Sequence, residues 1–135
     1  MNVLVVDNSE DGRLIMSILL KEEGHNVVAA PNGKIALDMV KESAPDLIVT
    51  DILMPEMDGF ELCRQIRANP EYNHVIIIIY TGSYKSPADI ELGCTLGANE
   101  YIIKPQEPSV LKQLIEKAVL EHKKYGHHAF LFRSI

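Results

Sequence analysis

Cysteine is scarce in this chain, basic charge is in the minority, and long apolar runs are missing. The two cysteines, Cys63 and Cys94, each fall inside a helical pattern, with no CxxC spacing and no disulfide framework around them. They read as reduced core thiols, which points to a reducing compartment. Lysine and arginine total 13 against 19 aspartates and glutamates, a formal net charge of −6, and no Lys/Arg cluster interrupts it. No nucleic-acid surface is expected from that balance. No apolar stretch approaches the ~20 residues that cross a bilayer, so no membrane span is expected either. The apolar run at residues 3–6 has no basic flank and meets Asp7 at once, which argues against a secretory signal. Internal repeats and low-complexity linkers are absent. The expectation is a cytoplasmic protein.

What is present is an ordinary globular composition, 47% hydrophobic and 24% charged over 135 residues, enough for one domain with a single core. The pattern is organised around residues 46–60. Leu47, Ile48 and Val49 are short and β-branched enough for a buried strand. The run ends at Thr50-Asp51, so a carboxylate stands at the carboxyl end of a strand. A loop pinned by Pro55 follows, and Asp58-Gly59 opens a helix. In open α/β sheets the crevice beyond the strand ends is where ligands bind.

The rest of the chain repeats that unit. Residues 2–6 form an apolar strand of the kind buried on both faces of a parallel sheet. A helix capped by Ser9 carries Leu14, Ile15, Ile18 and Leu19 at helical spacing and stops at Gly24. A second strand covers residues 26–30, and Ile35, Ala36, Met39 and Val40 mark a second helix bounded by Pro45. The third helix, about 59–68, offers Phe60, Leu62, Cys63 and Ile66 for burial, and Asn69-Pro70 closes it. Residues 75–79 are five consecutive β-branched residues, the plainest strand in the chain. Ser86-Pro87-Ala88-Asp89 reads as a capping box with proline at the first helical position, opening a fourth helix that Gly97 ends. Tyr101, Ile102 and Ile103 make the fifth strand, and a fifth helix starts near Pro108 with Leu111, Leu114, Ile115, Ala118 and Val119 on one face. Strands alternating with helices through right-handed crossovers predict a doubly wound α/β fold, a five-stranded parallel sheet with helices on both faces.

Parallel strands bring their carboxyl ends to one edge. Asp7 ends the first, Asp51 the third, Thr81 the fourth and Lys104 the fifth. Taken singly, Asp7 could be a helix cap, Thr81 a strand residue and Lys104 a solvated loop lysine. Together they form two carboxylates, a hydroxyl and an ammonium, with the Asn8 amide beside them. Two anions in one cleft repel, and a counter-charge relieves them. Mg²⁺, a hard cation that prefers oxygen, answers that need. A carboxylate nucleophile flanked by a metal, a lysine and a hydroxyl suits phosphoryl transfer.

At these positions the sequence resembles the receiver domain of two-component response regulators, of the CheY-like (flavodoxin-like) type. The motifs are Val5-Val6-Asp7, the run from Asp51 through Met54-Pro55 to Asp58-Gly59, Tyr80-Thr81-Gly82, and Tyr101-Ile102-Ile103-Lys104-Pro105. They cover residues 1–122 and leave 123–135 as a C-terminal extension. The resemblance implies that Asp51 is phosphorylated by a histidine kinase or a phosphotransfer protein. It also implies that Asp7, Asp51 and the Leu53 carbonyl hold Mg²⁺. Thr81 and Lys104 would bind the phosphoryl oxygens, Lys104-Pro105 would be a cis peptide, and Tyr101 would be an aromatic switch. The output would be a changed surface of the fourth helix, fifth strand and fifth helix, read by a downstream effector protein. Such a chain catalyses only its own phosphorylation and dephosphorylation.

Two positions depart from the family pattern. Where two adjacent acids are usual, the second is Asn8, an amide that can still coordinate but carries no charge, so a weaker Mg²⁺ site is expected, with Glu10 as a substitute ligand to consider. Gly82 stands where alanine is common and adds freedom to the loop. Asn8 alone favours the alternative of a degenerate receiver acting as a phosphorylation-independent docking module. A phosphohydrolase with an aspartyl nucleophile would want an acid two residues on, where Leu53 stands. His122, His127 and His128 are expected to be solvated. The extension carries Phe130, Leu131, Phe132 and Ile135, and it is expected to pack on its own domain or on a second copy, giving a homodimer.

Overall fold

In the computed structural model, residues 1–125 are described. Five strands, β1 (Asn2–Val6), β2 (Asn26–Ala30), β3 (Leu47–Thr50), β4 (Ile76–Thr81) and β5 (Glu100–Ile103), alternate with five helices. The helices are α1 (Glu10–Glu22), α2 (Gly33–Glu42), α3 (Gly59–Arg67), α4 (Pro87–Thr95) and α5 (Pro108–Tyr125). All strands pair parallel in the order β2-β1-β3-β4-β5. The doubly wound sheet expected from the sequence is the one observed. No helix among the described residues is long and apolar enough to cross a membrane.

Side chains alternate across each strand, and that alternation builds two cores. Val3 and Val5 of β1, Leu47 and Val49 of β3, and Ile76 and Ile78 of β4 pack against α1 and α5. Leu4, Val6, Ile48, Ile77 and Ile79 pack on the other face with α2 and α3. Capping follows the sequence: Ser9 accepts from the Gly12 N–H at 3.1 Å, and Ser86 and Asp89 exchange the two bonds of a capping box at 3.1 and 3.2 Å. Gly24 and Gly97 follow their helices at φ 87° and 106°, the left-handed conformation that glycine adopts at least cost.

Three local features differ from the sequence reading. In α1, Leu14, Ile15 and Ile18 are 59, 65 and 48% exposed, and the buried face is Met16, Leu19 and Leu20. Two apolar stripes run along this helix, and its rotation decides which one is covered. Gly12 sets that rotation, because its Cβ position lies 2.5 Å from Oδ2 of Asp7. The face i, i+4, i+7 and i+8 counted from Gly12 therefore turns toward the sheet. A short 3-10 turn, Pro70–Tyr72, follows α3 and buries Tyr72. Cys63 is a core thiol whose pKa burial pushes up to about 12, but Cys94 is only half-buried, since Gly93 is the buried residue of α4. The residues expected to pack as a tail, Phe130, Leu131, Phe132 and Ile135, lie outside the described residues, as do His127 and His128.

The loop from β3 to α3 returns close to the strand it left. Asp58 caps α3 by accepting from the Glu61 N–H at 2.8 Å, and the Gly59 N–H donates to the Ile52 carbonyl at 2.9 Å. A Cβ on Gly59 would overlap the Asp51 carbonyl oxygen. Gly59→Ala should therefore push the Asp51 backbone outward and cost about 1–3 kcal/mol, as overpacking of a tight site does. Urea denaturation measures this; an unchanged midpoint would mean the loop yields freely.

Candidate functional site

The four expected polar residues meet at the carboxyl edge of the sheet. Asp7 follows β1 and is 9% exposed; its Oδ1 accepts from the Ser9 N–H at 2.9 Å. Asp51 follows β3, and its Oδ1 accepts from the Ile52 N–H at 2.6 Å. Each carboxylate thus has one oxygen anchored to its own loop, which aims the second. The second oxygens converge on one ammonium: Lys104 Nζ donates to Asp51 Oδ2 at 2.8 Å and to Asp7 Oδ2 at 3.2 Å. A salt bridge drawn from three strand ends is what makes the edge a single site.

The electrostatics follow from that sharing. Burial alone would lower the Lys104 pKa, but the hydrogen bond and charge of Asp51, then those of Asp7, outweigh it and hold it above the ordinary 10.5. Since the folded pKa is the higher one, the pair's contribution to stability is complete below pH 10.5 and is lost as pH rises past it. The oxygen-only donor set of Asp7 and Asp51, with one positive charge between two negative ones, suits a hard divalent cation.

The remaining expected residues are arranged around this pair. Thr81 closes β4 with its side chain fully buried, and its hydroxyl oxygen accepts from the Ser83 N–H at 3.3 Å. Lys104-Pro105 is a cis peptide. Leu53 is 60% exposed in the loop after Asp51. Asn8 and Glu10 are both exposed. Tyr101 on β5 donates its hydroxyl to the Tyr84 carbonyl at 2.6 Å, and its ring lies against Gly93 of α4. Tyr84 in turn packs edge-on to Phe60, with ring centroids 5.8 Å apart. Burial first, then the negative charges of Asp89 and Asp51, push the Tyr101 phenol up to about 12. The neutral phenol is the favoured form, so its contribution to stability is full below pH 10.0 and is lost toward pH 12.

Several contributors were not singled out from the sequence. Gly12 leaves room for the Asp7 carboxylate, and Arg13 Nη1 donates to the Asp7 carbonyl at 2.8 Å. The Lys104 ammonium lies 5.2 Å from the centroid of the Tyr80 ring. Beside the carboxylates, a cavity of about 230 Å³ opens between α1 and the loop before α5, with Ile15, Met16, Leu19 and Leu111 among its walls. A glycine in the first turn of a helix is a legible oddity; the ring under the lysine is not, since residues 80 and 104 meet only through strand pairing. His122, expected to be solvated, is instead half-buried with Nδ1 3.0 Å from Asn99 Nδ2, and no three histidines, cysteines or acids gather as ligands among the described residues.

Known proteins resemble this chain in sequence and fold. A family model described as the response regulator receiver domain matches residues 3–116. An uncharacterized 14.6 kDa protein of Leptolyngbya boryana is 38% identical over 89% of this chain and 91% of its own length. The transcriptional regulatory protein AfsQ1 of Streptomyces coelicolor is 34% identical over 88% of this chain, which spans 51% of that regulator. Among solved structures, the chemotaxis response regulator CheY4 of Vibrio cholerae superposes with a TM-score of 0.81 at 31% identity, covering 87% of this chain and 97% of that one. A match this continuous, over the strands whose ends carry Asp7, Asp51, Thr81 and Lys104, makes this chain a member of the response regulator receiver domain family.

Proposed function

We propose that the chain is a phospho-acceptor switch of a two-component relay, with Asp51 as the residue that receives the phosphoryl group. The observation that carries this reading is the single ammonium shared by Asp51 and Asp7, at 2.8 and 3.2 Å. An isolated aspartate at a strand end would need no such partner.

In this reading the donor is a phosphohistidine of a kinase or phosphotransfer protein. An Asp51 carboxylate oxygen attacks phosphorus, the P–N bond breaks with its electron pair leaving on the imidazole, and an aspartyl phosphate forms. Lys104 then moves its donors from the carboxylate to the phosphoryl oxygens, and the Thr81 hydroxyl donates to another of them. Mg²⁺ would be held by Asp7, Asp51, the Leu53 carbonyl and the Asn8 amide, and when bound it neutralises charge gathering on the phosphoryl oxygens. Attack of water on the acyl phosphate releases inorganic phosphate, restores the Asp51 carboxylate and resets the switch, so the only chemistry is self-phosphorylation and self-dephosphorylation. The relay ends on a downstream effector protein.

The output side rests on Tyr101. The phosphoryl group adds about two negative charges and strong acceptor oxygens. Drawing Thr81 toward them pulls on the loop through Ser83 to Tyr84, whose carbonyl holds the Tyr101 hydroxyl. The surface of α4, β5 and α5 then differs between states, and an effector binds one of them better.

Incubation with acetyl phosphate and Mg²⁺ should add one phosphoryl mass to the intact chain and none to Asp51→Asn. Equal labelling of the two would remove Asp51 from its role, and no labelling of either would favour the docking module. Asn8→Asp restores a third negative charge, so metal titration should show tighter Mg²⁺ binding and faster phosphorylation at limiting metal. Equal affinities would mean that another oxygen, Glu10 first, already replaces the missing carboxylate. Thr81→Ala should accept phosphate yet lose the phosphate-dependent amide shifts across residues 84–105; shifts matching wild type would break the proposed coupling.

A further inference from the structure

The ring beneath the lysine offers more than packing. We propose that Tyr80 is a positioning residue for Lys104, its aromatic face holding the ammonium where it serves Asp51 and Asp7; this rests on the phospho-acceptor reading above.

Strand alternation puts Ile76, Ile78 and Tyr80 of β4 on the face covered by α1 and α5. The two isoleucines are buried by those helices, whereas Tyr80 stands at the strand end, half-buried, in the wall of the cavity beside the carboxylates. Its ring centroid lies 5.2 Å from Lys104 Nζ, inside the ~6 Å over which a ring face attracts a cation. Past the strand end, Gly82 has no side chain to offer. A Cβ there would sit 3.4 Å from the Lys104 Cβ, in ordinary contact with its stem. The Tyr80 ring is thus the side chain of β4 that stands at the ammonium of this long, flexible residue.

The ring matters most when the ion partners change. In the resting site both carboxylates hold Nζ. Once an Asp51 oxygen is committed to phosphorus, that carboxylate is no longer the partner it was. Attraction to the ring does not depend on the Asp51 charge, so Lys104 stays at the site while its donors transfer. Only the ring is required by this account, not the hydroxyl.

Protons held over an aromatic face resonate upfield, so the test reads the Lys104 Hε and Hδ signals in the full chain without any phosphodonor. They should be shifted upfield in wild type and Tyr80→Phe, and return to ordinary lysine positions in Tyr80→Leu and Tyr80→Met. The same four proteins are then phosphorylated with acetyl phosphate and Mg²⁺. Tyr80→Leu and Tyr80→Met should react about two- to fivefold more slowly, the size of a cation–ring contact at a part-exposed site, and Tyr80→Phe should recover the rate. Using two apolar replacements guards against one of them failing to fold, which circular dichroism reports. Ordinary lysine shifts in wild type would overturn the contact. A rate unchanged when the shift is lost would overturn the positioning role, as would a loss that Tyr80→Phe does not rescue. If wild type takes no phosphoryl group, the phospho-acceptor reading falls and the inference with it, and the ring-current signal shows separately whether the contact exists.

Discussion

One ammonium shared between two carboxylates is the interaction on which the carboxyl edge depends. Asp7 and Asp51 come from β1 and β3, which are neighbours in the sheet, so their loops are brought side by side by backbone pairing alone. Two negative charges so close need a positive one, and Lys104 reaches across β4 from β5 to supply it. The upward shift of its pKa, against a burial that would lower it, shows which effect wins. The anchoring of one oxygen of each carboxylate to its own loop is what makes the shared geometry possible, because it aims the second oxygen at the lysine.

The remainder of the site is built by tight backbone approaches. Gly12 lets α1 press against Asp7, and Gly59 lets α3 begin against the Asp51 carbonyl. These contacts bring two helices close to the two acids, so the loops that carry the carboxylates are held at both ends. On the far flank, Tyr101 ties β5 to the loop after Thr81 through the Tyr84 carbonyl, and Gly93 makes room for the ring. That loop is thereby joined to β5 and α4 by direct contacts.

Strand and helix periods, caps and glycine stops were legible in the sequence because each is a local property. The apolar run that forms β4, the capping box of Ser86 and Asp89, and the left-handed glycines at 24 and 97 stand where local chemistry puts them. The 3-10 turn at Pro70–Tyr72 has a local signal, Asn69 capping it by accepting from the Glu71 N–H at 3.0 Å with Pro70 at its first position, but the burial of Tyr72 in the core was not legible. The covered face of α1 was not legible either: Leu14, Ile15 and Ile18 make as good a stripe as Met16, Leu19 and Leu20, and a close approach between Gly12 and Asp7 chooses between them.

By itself the sequence determined which residues stand at strand ends, because hydrophobic period and turn chemistry are written along the chain. It thereby placed Asp7, Asp51, Thr81 and Lys104 on one edge, given only that the strands run parallel. The tertiary structure alone decided which of them touch. Lys104 bonds both acids, Thr81 holds the backbone of its own loop, and Asn8 is exposed beside a buried Asp7. It also decided that Tyr80 underlies the lysine. Such pairings depend on strand order, register and helix rotation, which arise only when the whole sheet is assembled and its two cores are packed.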